Sequence, residues 1–472
     1  MELQKDLDPR HLLLLALGGS IGTGIFLASG YTLYVAAPLL SLIIFIFIGI
    51  VVYFLSTSLS EMAAYMPVSG SFSIYASRFV DPALGFALGW NYWFNWSISI
   101  AAEIVSCSLL MKFWFLHFPI YVWSLFFLLL ILFLNLLSVS KFGEAEYWFA
   151  LFKVLVIVFF IVFCCCALVG VLGPVKLYFS NFSLIKKVPF VVFLNLLVIA
   201  GFAFQGTELV SIAASETKNP SLVIPKVTNK VFLIVFSFYI LALILISSLI
   251  PLDNAKLMSE NISSSPFTLV LAKLGIPFAA SFMNIVIILA ILSAANSGMY
   301  AATRMLWSLS KEGKAYTLFA KLNKKKVPIY ALFFTFLIGI FSLLTIFFND
   351  LKVYVWLLNS AGLSGFISWL GIALSHYRFR KAFCLQGKKL SSLPFVASFF
   401  PLGPYLTFFV SLIIVVFQGL LIFKETKDFI GLFFSYISLM LFFVCYLYFK
   451  FKYKTKVLSL KNIDFENVDN KE

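Results

Sequence analysis

Long apolar runs are the feature of this sequence that most constrains its fold. Each is near or above the ~20 residues that an α-helix needs to cross a bilayer. Twelve such runs lie at 11–29, 35–58, 83–114, 120–139, 145–173, 189–215, 225–250, 278–303, 328–348, 353–377, 399–422 and 428–449. Strands of a membrane barrel would alternate in polarity over ~10 residues. Only 12% of the residues are charged, which is too few to cover a soluble protein. We therefore predict an all-α integral membrane protein with twelve transmembrane helices.

Positive charge is concentrated in the connections between these runs. With the N-terminus placed in the cytoplasm, 25 of the 35 Lys and Arg residues lie inside, 9 lie outside, and Lys153 lies within a run. This bias follows the positive-inside rule. It predicts a cytoplasmic N-terminal segment at 1–10 and a cytoplasmic tail at 450–472. The net charge of +15 then reflects membrane orientation, and no nucleic-acid partner is expected.

Two of the apolar runs contain clusters of glycine and polar residues. The first run contains residues 18–24 with the sequence GGSIGTG, and the sixth contains residues 204–208 with the sequence FQGTE. These clusters correspond if 11–173 and 189–377 are two five-helix repeats, inverted because five is odd, with 399–449 peripheral. Close helix packing alone can explain isolated glycines. Interrupted helices at matching positions of inverted repeats instead predict a transporter's substrate site.

Four charged residues inside apolar runs need an explanation, because a charge at the bilayer centre costs on the order of 3 kcal/mol. Glu103 lies in the third run, and Glu208 is the last residue of the second cluster. Glu146 and Lys153 lie in the fifth run. Carboxylates at membrane depth would suit a cationic substrate, and a buried lysine could carry a coupled proton. The structural alternatives are hydrogen bonds from neighbouring helices to the carboxylates, and backbone carbonyls that hold the lysine. Glu146 and Glu216 could contribute to a gate or could lie at exposed helix ends.

Several stretches resemble the amino acid transporter family of the amino acid–polyamine–organocation superfamily, over nearly the whole chain. They are residues 18–24, 61–72, 89–96, 143–149, 204–209 and 293–300. Permeases for aromatic amino acids, arginine and γ-aminobutyrate share these motifs. Residues 375–380 and 399–404 are more narrowly similar to the family members that transport lysine.

The expected substrate site lies between the two interruptions. Backbone N–H groups at Gly22, Thr23 and Gly24 would bind the substrate carboxylate, as helix N-termini bind anions. Carbonyl groups near Ile21 and Phe204 would accept from the α-ammonium. The resemblance implies that Phe204 is an aromatic gate. The full set of candidates is Ser20, Ile21, Gly22, Thr23, Gly24, Glu103, Phe204, Gln205, Gly206 and Glu208 for substrate, Lys153 for the proton, and Glu146, Glu216 and Asn296 as gate or supporting residues.

These observations predict a proton-coupled importer of L-lysine in the bacterial inner membrane, working by alternating access. Alternatives are a permease for arginine, ornithine, γ-aminobutyrate or an aromatic amino acid, an amino acid/diamine exchanger, and a non-transporting sensor. An enzyme is not expected, because the three histidines lie near the ends of runs and form no catalytic pattern. No cofactor or metal is expected. The partners are the amino acid, a proton and the lipid bilayer, and the oligomeric state stays open.

Overall fold

The computed structural model describes residues 8–68, 70–136, 139–173, 175–183, 186–251, 265–274 and 278–465. These contain fifteen α-helices. They are α1 Pro9–Ser20, α2 Ser29–Tyr65, α3 Ser71–Phe79, α4 Pro82–Met111, α5 Ile120–Asn135, α6 Val139–Leu168, α7 Phe190–Phe204, α8 Leu209–Ile212, α9 Pro220–Leu249, α10 Pro266–Lys273, α11 Ala279–Lys311, α12 Ile329–Gly339, α13 Asp350–Leu385, α14 Leu402–Thr426 and α15 Phe429–Tyr453. A π-helix at Gly24–Ala28 and short 3₁₀ helices, including Ala213–Glu216 and Ile340–Ile346, complete the fold.

Among the described residues, nine helical segments are long and apolar enough to cross a membrane. Two shorter apolar helices, Ile120–Asn135 and Phe190–Phe204, lie between them. The prediction of an all-helical, multi-pass membrane protein is confirmed at this level, and each predicted run coincides with helical structure. The first and sixth runs fall below the length of a continuous span because the structure interrupts both helices, as the sequence predicts.

The boundary between the first and second runs lies inside α2. Ala37 has a φ of +58° directly before Pro38, and the helix changes direction there. A residue that precedes proline is disfavoured in the α-helical conformation. The Gly24–Ala28 π-helix and the first turns of α2 therefore continue the first run, and the part of α2 after Pro38 forms the second.

The helices differ in how much of their surface other helices cover. Within their apolar windows, α4 is 94% buried and α13 89% buried, whereas α15 is only 17% buried. α4 packs against α11, α13, α5 and α15. The ends of these helices are fixed by side-chain caps, since Asp81, Asn349 and Asp428 accept from backbone N–H groups in the first turns of α4, α13 and α15. A central α4 positions its polar residues inside the protein.

A buried ion cluster joins α2 to α13. Arg380 donates from Nε to Oε1 of Glu61 at 2.9 Å and from Nη2 to Oε2 at 2.5 Å. Oε2 also accepts from the Ala397 N–H at 2.6 Å, and His376 Nε2 lies 3.2 Å away. The Glu61 side chain is fully buried. Because Arg380 and the Ala397 N–H both donate to this buried carboxylate, the cluster fixes the ends of the two helices against each other.

Candidate functional site

The first interruption separates α1 from the π-helix at Ile21–Thr23. Lys153 of α6 reaches it from the side and is 1% exposed. Its Nζ atom donates to the carbonyl of Gly18 at 2.5 Å and to that of Ile21 at 3.1 Å. The last carbonyls of a helix have no partner within the helix, so this ammonium supplies the donor that the break removes. The sequence analysis gave two alternatives for Lys153, a lysine held by backbone carbonyls and a carrier of the coupled proton. The structure has the carbonyl contacts, and these are compatible with proton transfer at the same residue.

The second interruption lies between α7 and α8, at residues 205–208. Gly206 has a φ of +100°, a conformation that side-chain-bearing residues rarely adopt. The carboxylate of Glu208 accepts from the Gly206 N–H at 2.9 Å, and the Thr207 hydroxyl donates to the Phe204 carbonyl at 3.1 Å. The segment is therefore held in place largely by its own side chains.

The two interruptions touch each other. A Cβ atom on Gly206 would lie 2.6 Å from the carbonyl carbon of Gly19 and 2.7 Å from the Ser20 nitrogen. A Cβ atom on Gly24 would lie 2.3 Å from Cα of Ala203. Backbone meets backbone at both contacts, which only glycine permits.

A cavity of about 370 Å³, counting its open side, lies beside this contact, between the first interruption, α4, α7 and α11. Its lining consists of Gly19, Ser20, Gly22, Gly24, Trp96, Ser99, Ile100, Glu103, Phe202, Ala203, Gln205, Ala294, Ala295 and Gly298. Glu103 is the one ionisable side chain in the part of this lining that the structure describes. The cavity can thus offer backbone groups, a carboxylate and aromatic surface to a small zwitterion.

Glu103 lies directly against the first interruption and is 6% exposed. Its Oε2 accepts from the Thr23 N–H at 3.4 Å. A Cβ atom at Gly22 would lie 2.8 Å from its Oε1 and 3.0 Å from Cβ of Ala294. The carboxylate therefore depends on the absence of a side chain at Gly22. One of the N–H groups expected to bind substrate is already engaged by this carboxylate.

The structure brings five of the predicted substrate residues to the cavity: Ser20, Gly22, Gly24, Glu103 and Gln205. Gln205 also extends to α13, where its Nε2 lies 3.4 Å from the Gly362 carbonyl. The predicted residues that are absent from the lining are Ile21, Thr23, Phe204, Gly206 and Glu208. Three of these residues make backbone hydrogen bonds at the interruptions. The Ile21 carbonyl accepts from Lys153, and the N–H groups of Thr23 and Gly206 donate to Glu103 and Glu208.

Two of the predicted side chains lie away from the cavity lining in this structure. Phe204 is fully buried behind the cavity, with its ring 4.9 Å from that of Tyr239 and 6.3 Å from that of Phe45. Phe202 lines the cavity instead, because two residues along a helix correspond to a rotation of about 200°. The Glu208 carboxylate is directed to its own interruption rather than to the cavity. In this structure Glu208 is a hydrogen-bonded carboxylate, which is the alternative to a substrate ligand that the sequence analysis gave.

The three residues predicted as gate or supporting residues are Glu146, Glu216 and Asn296, and none of them is among the cavity-lining residues that the structure describes. Oδ1 of Asn296 on α11 accepts from the Asn135 side chain of α5 at 2.8 Å. The backbone of Glu146 lies in α6 and that of Glu216 in the 3₁₀ helix Ala213–Glu216. The side chains of both glutamates lie outside the described part of the structure, so their gate role stays a prediction.

Several site residues were not identified from the sequence. Trp96, Ser99 and Ile100 precede Glu103 on α4 by seven, four and three residues, which places all of them on one helix face. That periodicity would have found them. Ala294, Ala295 and Gly298 carry no comparable signal, because small residues are common in membrane helices. Gly19, Phe202 and Ala203 also line the cavity and were not among the candidates. Tyr239 was not identified either, and its hydroxyl contacts the Ser20 and Ala203 carbonyls beside the two interruptions.

Comparison with known proteins agrees with this geometry. A family model described as "Amino acid permease" matches residues 11–462. The chain belongs to the amino acid permease family. It is 45% identical to the lysine-specific permease LysP of Escherichia coli (strain K12), over 99% of this chain and 98% of that protein. It is 41% identical to LysP of Lactococcus lactis subsp. cremoris (strain MG1363), over 98% of this chain and 93% of the relative. The histidine permease HisP of that strain is 40% identical, over 98% of both chains.

The fold is similar to that of solved transporters. A crystal structure of the Eremococcus coleocola manganese transporter superposes with a TM-score of 0.60, covers 94% of both chains and is 13% identical in sequence. At this identity the likeness concerns the fold alone. The amino acid permease family member described here is accordingly a multi-pass membrane transporter of amino acids and not an enzyme.

Proposed function

We propose that this permease imports lysine together with a proton across the bacterial inner membrane, by alternating access. The observation that carries the proposal is the Glu103 carboxylate in a cavity between two interrupted helices. The permeases of similar sequence that are named lysine-specific support this choice of substrate. The histidine permease at 40% identity makes histidine the first competing substrate to test.

The helix contacts support twelve spans with a five-plus-five inverted repeat. In this arrangement α1, α2, α4, α5 and α6 correspond to α7, α9, α11, α12 and α13. The packing of α1 on α6 is matched by α7 on α13, and that of α2 on α7 by α9 on α1. Likewise α4 on α13 is matched by α11 on α6, and α4 on α12 by α11 on α5. Such paired contacts support a two-fold relation, with α14 and α15 outside it. The distribution of Lys and Arg supports a cytoplasmic position for both termini.

In this proposal the substrate carboxylate binds the backbone N–H groups of the first interruption at Gly22 and Gly24. The Trp96 side chain adds aromatic surface to the cavity lining. Carbonyl groups of the two interruptions accept from the α-ammonium. Each group of the zwitterion then meets a backbone feature that an intact helix would not offer.

Glu103 supplies the recognition of the second ammonium. An unpaired ammonium buried in an apolar pocket costs several kcal/mol, and a carboxylate removes that cost. A neutral amino acid would leave the Glu103 carboxylate without a cationic partner. The site therefore favours lysine over neutral amino acids of similar length.

Lys153 is the proposed proton-coupling residue. In its protonated form it donates to the Gly18 and Ile21 carbonyls, and loss of the proton removes the charge that strengthens these bonds. Protonation therefore biases the first interruption toward the conformation described here. Lysine and one proton carry two charges, which at 100 mV supply about 4.6 kcal/mol.

Uptake of labelled lysine into proteoliposomes under an inward proton gradient tests the proposal. An excess of each unlabelled amino acid, histidine included, competes in turn. We expect gradient-dependent uptake that lysine and close analogues suppress. Uptake only after internal loading with substrate would instead indicate an exchanger, and blockage by histidine alone would move the assignment to that amino acid.

A further inference from the structure

The hydroxyl of Tyr239 lies between the two interrupted helices. Tyr239 belongs to α9, and its side chain is fully buried. Its oxygen is 2.7 Å from the Ser20 carbonyl oxygen and 2.6 Å from that of Ala203. Ser20 is the last residue of α1 and Ala203 lies one residue before the end of α7. Carbonyl groups at helix ends have no partner within the helix, so one phenol serves two backbone groups that the interruptions expose.

A phenol has one proton and can donate to only one carbonyl at a time. Ser20 and Ala203 both line the cavity. The hydroxyl therefore links the first broken helix, the second broken helix and α9 at a single atom.

We propose that Tyr239 is a positioning residue of the substrate site, which fixes the separation of the two interruptions and makes α9 move with them. The inference rests on the proposed function, because it concerns the geometry of that same cavity. Two carbonyl oxygens within 2.7 Å of one point repel each other once the proton between them is removed. Without the hydroxyl the interruptions shift apart, and backbone groups on both sides no longer meet one substrate at once.

Tyr239→Phe removes the hydroxyl and keeps the ring, which packs 4.9 Å from Phe204 and 6.3 Å from Phe45. We expect KM for lysine to rise by about 5- to 30-fold, because the two buried carbonyl groups lose the one donor that they share. Tyr75→Phe is the matched control, since Tyr75 is a fully buried tyrosine that donates to the Met66 carbonyl at 2.6 Å, away from the cavity. The control is expected to lower the unfolding midpoint and to leave KM unchanged. Incorporation of 3-fluorotyrosine at position 239 restores a hydroxyl and is expected to restore KM.

A second readout does not depend on the substrate. Spin labels at Arg10 of α1 and Leu222 of α9, both exposed, report the distance between these helices. We expect a broader distance distribution in Tyr239→Phe than in the unmodified protein or in Tyr75→Phe. The inference is overturned if the distribution is unchanged, or if an active protein keeps its KM within twofold after Tyr239→Phe. Failure of the unmodified protein to take up lysine contradicts the proposed function instead, and the distance measurement still decides the role of Tyr239.

Discussion

Replacement of Lys153 by glutamine tests the coupling mechanism most directly. The ammonium makes two hydrogen bonds, at 2.5 Å to the Gly18 carbonyl and at 3.1 Å to the Ile21 carbonyl. A glutamine amide can still donate to these carbonyls but cannot carry a proton. Charge-assisted bonds contribute about 1.5–3 kcal/mol each and neutral ones about 0.5–1.5 kcal/mol. The variant should therefore lose on the order of 2 kcal/mol and remain folded.

The effect on accumulation follows from the number of charges moved. At 100 mV without a pH gradient, lysine with one proton is driven by about 4.6 kcal/mol, and lysine alone by about 2.3 kcal/mol. Since about 1.4 kcal/mol corresponds to tenfold, accumulation should fall from roughly 2,000-fold to roughly 50-fold in Lys153→Gln. Exchange of labelled for unlabelled lysine needs no net proton movement and should persist.

The assay is steady-state accumulation of labelled lysine in proteoliposomes held at a fixed potassium diffusion potential, with proton influx recorded in parallel. Lys112→Gln is the matched control, because Lys112 pairs with Asp350 at 2.9 Å and its side chain is 27% exposed. The control should accumulate lysine as the unmodified protein does. Accumulation of about 2,000-fold in Lys153→Gln would refute the proposed role of this lysine. A ratio near 50-fold in the unmodified protein would show that no proton accompanies lysine.

Three further substitutions test the site and the fold. Glu103→Gln should raise KM for lysine about tenfold or more, because the buried ammonium loses its charged partner, and uptake competition would show weaker discrimination against neutral analogues. Gly206→Ala should abolish uptake, since its Cβ would lie 2.6 Å from the backbone at a φ of +100°, whereas Gly387→Ala, at φ +76° with open space around it, should leave uptake intact. Glu61→Gln should lower the free energy of unfolding, measured by steric trapping, by about 3–5 kcal/mol. Asp350→Asn, in a pair whose side chains are 27% exposed, should lower the free energy of unfolding by at most about 1 kcal/mol, and equal losses in the two variants would contradict the argument from burial.

Residues near the interruptions show where reasoning from sequence succeeds and where it stops. Glu103 could be identified because a carboxylate within an apolar run needs a partner or a ligand. Glu208 gave the same signal, but its carboxylate caps its own interruption at the Gly206 N–H. Both buried carboxylates accept a backbone hydrogen bond. They differ in the direction of the side chain, which the sequence does not specify. Phe204 shows the same limit, since one helix presents Phe202 to the cavity and packs Phe204 against Tyr239. Its role as an aromatic gate stays a prediction.

The sequence by itself determined the properties that depend on local composition and spacing. Apolar length required membrane helices, the two clusters of glycine and polar residues located both interruptions, and the isolated charges marked Glu103 and Lys153. Tertiary structure alone decided which groups meet across helices. Lys153 reaches the Gly18 carbonyl 135 positions away, and the Tyr239 hydroxyl reaches Ser20 across 219 positions. Contacts over such separations depend on the rotation and depth of every packed helix, and hydrophobic periodicity specifies only which face of a helix is buried.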